Sequence, residues 1–173
     1  KGKYLELTIP RSWQEYTLDT LLRNYWKAPK KLIHEWRMSK DVWIHNDAAR
    51  WNDLLKTGDK ILLPLFEHPN HDIEPAYMEL DILFEDDHLL IVNKPPFTDT
   101  HPSSAGQTDT LLNGVAYHLM TEGADGAFTH VHRLDRDTTG AILFAKHALS
   151  SVLLSRMMEG QELKRTYRAV VHG

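Results

Sequence analysis

The sequence predicts an α+β protein: a small unit of two helices and a hairpin, followed by part of a mixed, mainly antiparallel sheet with helices. Three observations support this fold class. Apolar residues recur at helical spacing in the first sixty positions. Short apolar runs joined by polar turns follow, which is typical of antiparallel strands. Two amphipathic segments lie between those runs, which indicates helices layered on a sheet and not a doubly wound parallel sheet.

The composition is ordinary for a globular protein of one or two domains. The sequence has 173 residues, of which 42% are hydrophobic and 25% charged. No apolar run approaches the roughly 20 residues of a membrane span, and no charged-then-apolar start suggests a secretory signal. Cysteine is absent, which excludes disulfides and thiolate metal sites within this sequence and fits a reducing compartment. We therefore expect a cytoplasmic location and no membrane partner.

A linker is predicted at residues 67–79, where two prolines and a lack of hydrophobic periodicity interrupt the chain. It divides the sequence into a first unit, residues 1–66, and a second unit, residues 80–173. In the first unit, an amphipathic helix is predicted to run from its N-cap, Thr17, to Trp26. Its predicted apolar face consists of Leu18, Leu21, Leu22, Tyr25 and Trp26.

Pro29 is expected in the first turn of a second short helix, a position that proline favours. The predicted apolar face of this helix consists of Leu32, Ile33 and Trp36. The remaining predicted elements of the first unit are strand Val42–His45, a turn at Asn46 and Asp47, and strand Lys60–Leu65.

The second unit is predicted to contain strands interrupted by two helices. Its predicted elements are hairpin strands Leu80–Phe84 and Leu89–Asn93, helix Thr108–Met120, extended segment Phe128–His132, strand Ala141–Ala145 and helix Leu149–Met158. The predicted inward faces are Leu111, Leu112, Val115 and Leu119 in the first helix, and Val152, Leu153 and Met157 in the second. Gly160 is expected to end the second helix.

The most informative motif covers residues 132–140, which read His-Arg-Leu-Asp-Arg-Asp-Thr-Thr-Gly. Asp135 stands between Arg133 and Arg136, and nearby opposite charges favour an ionised carboxylate. The Asp-Thr-Thr-Gly end predicts a tight turn, which places the motif at the mouth of the following apolar strand. A carboxylate presented in this way is suited to act as a nucleophile on a polyanion. The alternative interpretation is an ordinary charged turn.

Two further segments accompany this motif. Residues 80–96 pass through an acidic turn to a Lys-Pro-Pro loop, followed by His101-Pro102, and residues 165–173 read Arg-Thr-Tyr-Arg-Ala-Val-Val-His-Gly. With the motif at 132–140, they resemble in order and approximate spacing the RluA/RluD family of pseudouridine synthases. The last segment resembles the family's Lys-x-Tyr strand, with arginine at the lysine position.

The resemblance implies a site built around Asp135 as the catalytic residue. It also implies that Tyr167, in a strand, stacks against the target base, whereas a plain core aromatic is the alternative for that ring. The substrate-binding residues that it implies are Arg133, Arg165 and His132. Arg133 is expected to fill the gap left in the RNA or to bind phosphate, with a surface salt bridge as the alternative.

The first unit resembles the small RNA-binding module named after ribosomal protein S-four, in which a helix pair meets RNA phosphates through basic side chains. The candidate RNA-binding residues are Arg23, Lys27, Lys30, Lys31, Arg37 and Lys40. The match departs from the module where Pro29-Lys30-Lys31 opens the second helix and where His45-Asn46-Asp47 forms the turn. A helix pair with solvated lysines that never meets RNA is the alternative.

The charge distribution is compatible with an RNA partner although the formal net charge is −4. Residues 1–65 carry a net charge of +4, residues 66–127 carry −11, and residues 128–173 carry +3. Two basic regions therefore flank an acidic one. We expect the basic ends to contact a polyanion and the acidic middle to be a solvated face.

Pseudouridine formation requires no redox step and no external energy, so no cofactor is expected. The sequence has neither a Gly-rich dinucleotide loop nor a phosphate-binding loop. It has 11 histidines, and His130 and His132 would share one strand face, but no third zinc ligand follows from a known spacing, so no metal is expected. A hydrolase that uses Asp135 with Asp137 is a further alternative. Asp137 is instead expected to bond its own turn.

The family's catalytic sheet continues past the Lys-x-Tyr strand with an arginine that pairs with the catalytic aspartate. The sequence stops before that segment, so it is expected to represent the front half of an enzyme and to be inactive by itself. The expected partner is a structured RNA, ribosomal or transfer, and a monomer is favoured. A non-catalytic RNA-binding protein on a synthase scaffold is the alternative function.

Overall fold

A computed structural model describes residues 2–66, 73–124 and 126–172, and it confirms the predicted α+β fold class. The elements are β1 (Tyr4–Thr8), α1 (Leu18–Thr20), α2 (Lys30–Ser39), β2 (Trp43–Ile44), β3 (Asp47–Ala48), β4 (Lys60–Pro64), β5 (Asp81–Glu85), β6 (Leu89–Lys94), α3 (Leu111–Thr121), β7 (Thr129–His130), β8 (Gly140–Ala145) and α4 (Ala148–Glu159). The strands form two four-stranded antiparallel sheets, with strand orders β1-β4-β2-β3 and β5-β6-β8-β7.

The first hydrophobic core lies between the helix pair and the first sheet. The predicted apolar faces of the two helices are confirmed at six residues, all of which are buried: Leu18, Leu21, Leu22, Leu32, Ile33 and Trp36. Thr17 caps α1 as predicted, because its side chain accepts a hydrogen bond from the Thr20 N–H. The indole N–H of Trp36 donates to the Pro64 carbonyl at 3.1 Å, which fixes α2 against β4.

The predicted apolar face of the first helix is wrong at Tyr25, whose side chain is 50% exposed. α1 continues as a π-helical segment, Leu21–Tyr25, in which the Trp26 N–H donates to the Leu21 carbonyl at 2.9 Å. A π turn closes over five residues instead of four, so a side chain seven positions along rotates off the apolar face.

Two further differences from the sequence prediction concern element bounds. Pro29 is the N-cap of α2, which begins at Lys30, and does not lie in its first turn. Strand β1 is absent from the elements that the sequence predicts.

The second core lies between α3 and the second sheet. The predicted inward face of α3 is confirmed at Leu111, Leu112, Val115 and Leu119, which pack with Leu90, Val92, Ile142 and Phe144 of the central strands. Among the described residues, none of the helices is both long enough and apolar enough to cross a membrane.

The helix α4 is confirmed, and its predicted inward face is confirmed only in part. Leu149 and Leu154 are its most buried apolar side chains, whereas Val152, Leu153 and Met157 are only half-buried. Leu149 belongs to the first core, and Leu153 packs against that core. Contacts with the first unit therefore decide which side chains of α4 are buried. The hydrophobic spacing within the second unit carries no information about those contacts.

Part of the predicted linker packs on the second unit. Residues 67–72 lie outside the described residues, but Ile73 and Met78 pack against the second core. The backbone N–H of Ala76 donates to the Asn113 carbonyl at 3.2 Å, and the Asn113 side-chain amide donates to the Glu74 carbonyl at 2.8 Å. The chain from residue 73 onward is thus fixed along α3, and the domain boundaries stay a prediction.

His147 is the buried N-cap of α4. Its Nδ1 accepts the Ser150 backbone N–H at 3.1 Å, so in the neutral ring Nε2 carries the proton and donates it to Nδ1 of His88 at 2.9 Å. Burial, and secondarily the charge of His88, lower the pKa of His147 from 6.5 to about 4. Protonation would place two N–H groups face to face at the helix cap.

Acid is therefore expected to destabilise the fold through His147. Its pKa is lower in the folded chain than in the unfolded chain, so unfolding takes up a proton between about pH 6.5 and pH 4. The free energy of unfolding should be insensitive to this group above pH 6.5 and fall by about 2–4 kcal/mol as the pH drops through that window. Urea denaturation at several pH values measures this slope.

His147→Asn, which keeps a capping side chain, should flatten the slope of the free energy of unfolding against pH. His34→Asn, a substitution at an exposed histidine, should not. Equal slopes for wild type and His147→Asn would contradict the assignment.

Candidate active site

Asp135 lies in the loop that joins β7 to β8, and its side chain is exposed. The Thr138 N–H donates to the Asp135 carbonyl at 3.0 Å, which closes the predicted turn. The preceding residue, Leu134, is buried in the second core. The backbone is thus anchored on one side of Asp135, while the carboxylate is accessible to a large substrate.

Thr100 anchors the turn from the loop that leads to α3. Its hydroxyl donates to the Leu134 carbonyl at 2.9 Å and accepts the Leu134 N–H at 3.3 Å. The Thr100 side chain is only 4% exposed. Both backbone groups of the residue before Asp135 are therefore satisfied by one buried hydroxyl.

Lys94, the last residue of β6, holds the other side of the turn. Its ammonium group is fully buried and donates to three carbonyls: those of Pro95 at 3.0 Å, Thr98 at 2.8 Å and Arg136 at 2.8 Å. An ammonium has three N–H donors, so its donor capacity is fully used. Burial lowers the pKa of Lys94, and the nearby carboxylates of Asp99 and Asp137 oppose that effect.

Arg136 is paired with Asp99, whereas the sequence predicts that it flanks Asp135 as a partner charge. Arg136 Nη1 lies 3.3 Å from Asp99 Oδ2, which also accepts a hydrogen bond from the Gln107 side chain at 3.3 Å. Arg133 is exposed beside Asp135. The Asp99–Arg136 pair is partly solvated, so it contributes about 1 kcal/mol or less to stability, but it adds a third link between the two loops.

His132 is half-buried, and its Nε2 accepts the Leu143 backbone N–H of β8 at 3.3 Å. The neutral ring therefore carries its proton on Nδ1, a buried atom without a hydrogen-bond partner in the described structure. Burial, followed by the charge of Arg165, lowers the pKa of His132. These contacts give His132 a structural role, and its contact with substrate stays a prediction.

Two more histidines lie next to this loop. The rings of His101 and His130 stack with centroids 4.7 Å apart and an angle of 11° between their planes. Burial, followed by the charge of His101, lowers the pKa of His130. Although these rings are close, no group of three or more metal-ligating side chains with suitable geometry occurs in the part of the chain that the structure describes.

The predicted strand around Tyr167 is wrong in this structure. Residues 164–172 lie in no helix or strand, and the Tyr167 side chain is 59% exposed. A strand requires a hydrogen-bonded neighbour, and none of the described strands pairs with this segment. Arg165 is near enough to His132 to affect its pKa. The structure therefore brings Arg133, Asp135 and His132 into one loop but does not place Tyr167 on a sheet.

The predicted RNA-binding cations fall into two groups. Arg23 and Arg37 share one carboxylate oxygen of Asp19, at 2.7 Å and 2.5 Å, and the Arg37 guanidinium lies 4.7 Å from the centre of the Trp51 ring. Lys27, Lys30, Lys31 and Lys40 are exposed, and Lys31 forms a long contact, 3.9 Å, with Glu35. Asp19 thus orients the two arginines, whereas the four lysines are exposed to solvent.

Two family models cover most of the chain. One, described as RluD ribosomal pseudouridine synthase N-terminal domain, matches residues 5–61, and the other, described as RNA pseudouridylate synthase, matches residues 88–173. The chain belongs to the RluA/RluD family of RNA pseudouridine synthases.

Curated relatives with synthase names support this assignment. An uncharacterized RNA pseudouridine synthase of Bacillus subtilis, YhcT, is 42% identical over 173 residues, which is 100% of this chain and 57% of the relative. Ribosomal large subunit pseudouridine synthase D of Xanthomonas campestris is 29% identical, over 97% of this chain and 51% of that protein. The chain thus spans about half the length of these relatives.

One solved structure, the human RNA pseudouridylate synthase domain containing 4, is similar with a TM-score of 0.39 and 23% identity. The match covers 47% of this chain and 30% of that one. The likeness is too slight to carry an argument about the site.

Sequence reasoning missed the supports of the Asp135 turn. Lys94 is identified only as part of a family-like loop, and neither Thr100 nor the Asp99–Arg136 pair is predicted. These contacts join residues more than 30 positions apart, for which the sequence offers no periodic signal. Asp19 is different, because its spacing of four residues from Arg23 is a recognisable helical ion-pair pattern.

Replacing the buried ammonium is expected to destabilise the turn and the fold. Lys94→Met would leave three carbonyls without their donor, so the free energy of unfolding should fall by about 2–4 kcal/mol in urea denaturation. Lys56→Met, at an exposed lysine, is the matched control and should change it by about 0.5 kcal/mol or less. Equal effects of the two substitutions would show that Lys94 does not support the loop.

Proposed function

We propose that this protein isomerises specific uridines of ribosomal or transfer RNA to pseudouridine in the cytoplasm, through Asp135 and without a cofactor. The observation that carries the proposal is the exposed Asp135 carboxylate on a turn whose backbone is held by Lys94 and Thr100. Family membership indicates the reaction, and the turn supplies a nucleophile held in a defined position.

The reaction conserves every atom of the nucleotide. The bond between ribose and the base nitrogen breaks, the base rotates in place, and a ring carbon forms the new bond to ribose, while one proton leaves that carbon and one is gained at the freed nitrogen. An ionised carboxylate acting on the sugar is suited to this chemistry, as in covalent glycosidases. An exposed carboxylate meets the requirement of access for a bulky nucleotide.

The target base must leave its stack before Asp135 reaches the ribose, at a cost of a few kcal/mol. We propose that Tyr167 offsets part of this cost by stacking on the base, which is worth about 1–3 kcal/mol. Arg133, exposed beside Asp135, is proposed to contact phosphate or to occupy the gap in the RNA. Arg165 and His132, which lie near one another, are proposed to border the substrate.

We also propose that residues 1–66 form the module that grips structured RNA. Its exposed lysines, together with the two arginines that Asp19 orients, form a basic surface on the helix pair. Phosphate contacts of this kind are not specific for sequence, so they add affinity and position the RNA for the second unit. The net charge of +4 in residues 1–65 agrees with this role.

Removing the nucleophile should separate binding from catalysis. In the whole protein, Asp135→Asn is expected to reduce pseudouridine formation at least about a thousandfold. RNA affinity should be nearly unchanged, because the substitution keeps the shape of the side chain. Unmodified RNA from a strain that lacks the gene is the substrate, and pseudouridine is quantified by chromatography of the digested RNA.

Asp137→Asn is the matched control and should retain most of the activity, because Asp137 is assigned a turn role. Full activity of Asp135→Asn would overturn the catalytic assignment. If the wild-type protein binds RNA but forms no pseudouridine, the non-catalytic alternative is correct. Release of free uracil would instead indicate a hydrolase.

Neutralising the exposed lysines of α2 should weaken RNA binding in a salt-dependent way. In the double variant Lys30→Gln, Lys31→Gln, the negative slope of log affinity against log salt should become shallower by about 0.7–0.9 for each lost phosphate contact. Filter binding measures the slope between about 50 and 200 mM salt, a range over which phosphate contacts weaken. Lys56→Gln is the control in the same module. An unchanged slope in the double variant would exclude this helix as the RNA contact.

A further inference from the structure

The loop after β6 presents an apolar tip next to the Asp135 turn. Pro95, Pro96 and Phe97 are all exposed, and the Phe97 side chain is 72% exposed. The backbone of Phe97 has a φ of +62°, in the left-handed region. Proline at the second position and a positive φ at the third is the pattern of a type II turn, whose third position normally takes glycine or asparagine.

Phenylalanine at this position has two costs for folding. A bulky side chain in the left-handed region is strained, because its Cβ approaches the following carbonyl. A mostly exposed aromatic ring also gains little from burial. Glycine would remove both costs. Strained residues with exposed functional groups cluster at binding and catalytic sites, so the ring points to a role outside folding.

The backbone of the tip is held by the same contacts that hold the Asp135 turn. Lys94 Nζ bonds the carbonyls of Pro95 and Thr98, which lie on either side of the tip, and also the Arg136 carbonyl. Asp99 adds its ion pair with Arg136. The tip and the turn are therefore one hydrogen-bonded unit, so Phe97 belongs to the loop that is joined directly to the Asp135 turn.

We propose that Phe97 is an RNA-contacting residue that stacks on a nucleobase adjacent to the target uridine, on the strand that is unstacked when that uridine is extruded. This inference rests on the proposed function and adds a substrate contact to it. Extrusion exposes the face of a neighbouring base, and an aromatic ring binds any base face without reading its sequence. The two prolines restrict the backbone of the tip, so little conformational entropy is lost on binding.

The chemistry of the surroundings favours RNA over other occupants. Arg133 is exposed on the Asp135 turn, so the two joined loops offer a cation for phosphate as well as an aromatic ring for a base. Proteins that bind unstacked RNA combine these two features, a basic surface that follows the backbone and rings that take the bases.

The test compares Phe97→Gly with Phe97→Tyr in the whole protein. Phe97→Gly removes the ring and relieves the strain, so the midpoint of thermal unfolding should stay the same or rise. Its kcat/KM on unmodified RNA from the deletion strain, and its affinity for that RNA, should fall roughly tenfold. Phe97→Tyr keeps an aromatic face and should retain wild-type values. Tyr77→Ser, at an equally exposed aromatic outside this loop, should leave kcat/KM unchanged.

The outcomes separate this inference from the proposed function. If Phe97→Gly matches wild type in kcat/KM and affinity while Asp135→Asn is inactive, the stacking role is wrong and the synthase function stands. If Phe97→Gly loses thermal stability together with activity, the ring is structural and the inference is overturned. If wild type forms no pseudouridine but Phe97→Gly still weakens RNA binding about tenfold, the RNA contact stands and the proposed activity fails.

Discussion

The candidate site depends on the hydrogen bonds that the buried Lys94 ammonium donates to three backbone carbonyls. A buried charge without a carboxylate partner is tolerated only when its donors are all used, and here three backbone carbonyls take them. Two carbonyls belong to the loop after β6 and one belongs to the Asp135 turn. One side chain thus joins two loops that are far apart in sequence, and β6 and β8, adjacent in the sheet, bring those loops together.

This arrangement separates rigidity from exposure. Leu134 and Thr100 fix the backbone from within the core, while Arg133, Asp135 and Phe97 extend to the surface. The proposed substrate, a folded RNA, would need functional groups that are accessible without a closed pocket, and the proposed nucleophile would need a defined position. Buried supports beneath an exposed loop meet both needs. The basic helix pair is proposed to add affinity for RNA.

His147 shows how the two units influence one another. It caps α4, whose Leu149 completes the core of the first unit, and its ring bonds His88 at the start of β6. Burial, followed by the charge of His88, lowers the pKa of His147 and so favours the neutral ring that this geometry requires. Leu149 and Leu154, which the sequence pattern does not place on the inward face, are the most buried apolar side chains of α4.

Much of the fold, and the family, could be predicted from local patterns in the sequence. Helix and strand periodicity are local, so α2, α3, β6 and β8 and most of their buried faces follow from spacing, and three motifs in order identify the family. Four features could not be predicted in this way. Arg136 pairs with Asp99, Tyr25 turns outward on a π turn, residues 164–172 lie in no strand, and Phe97 occupies a left-handed turn position. These features depend on partners distant in the chain or on a backbone dihedral, and residue spacing encodes neither.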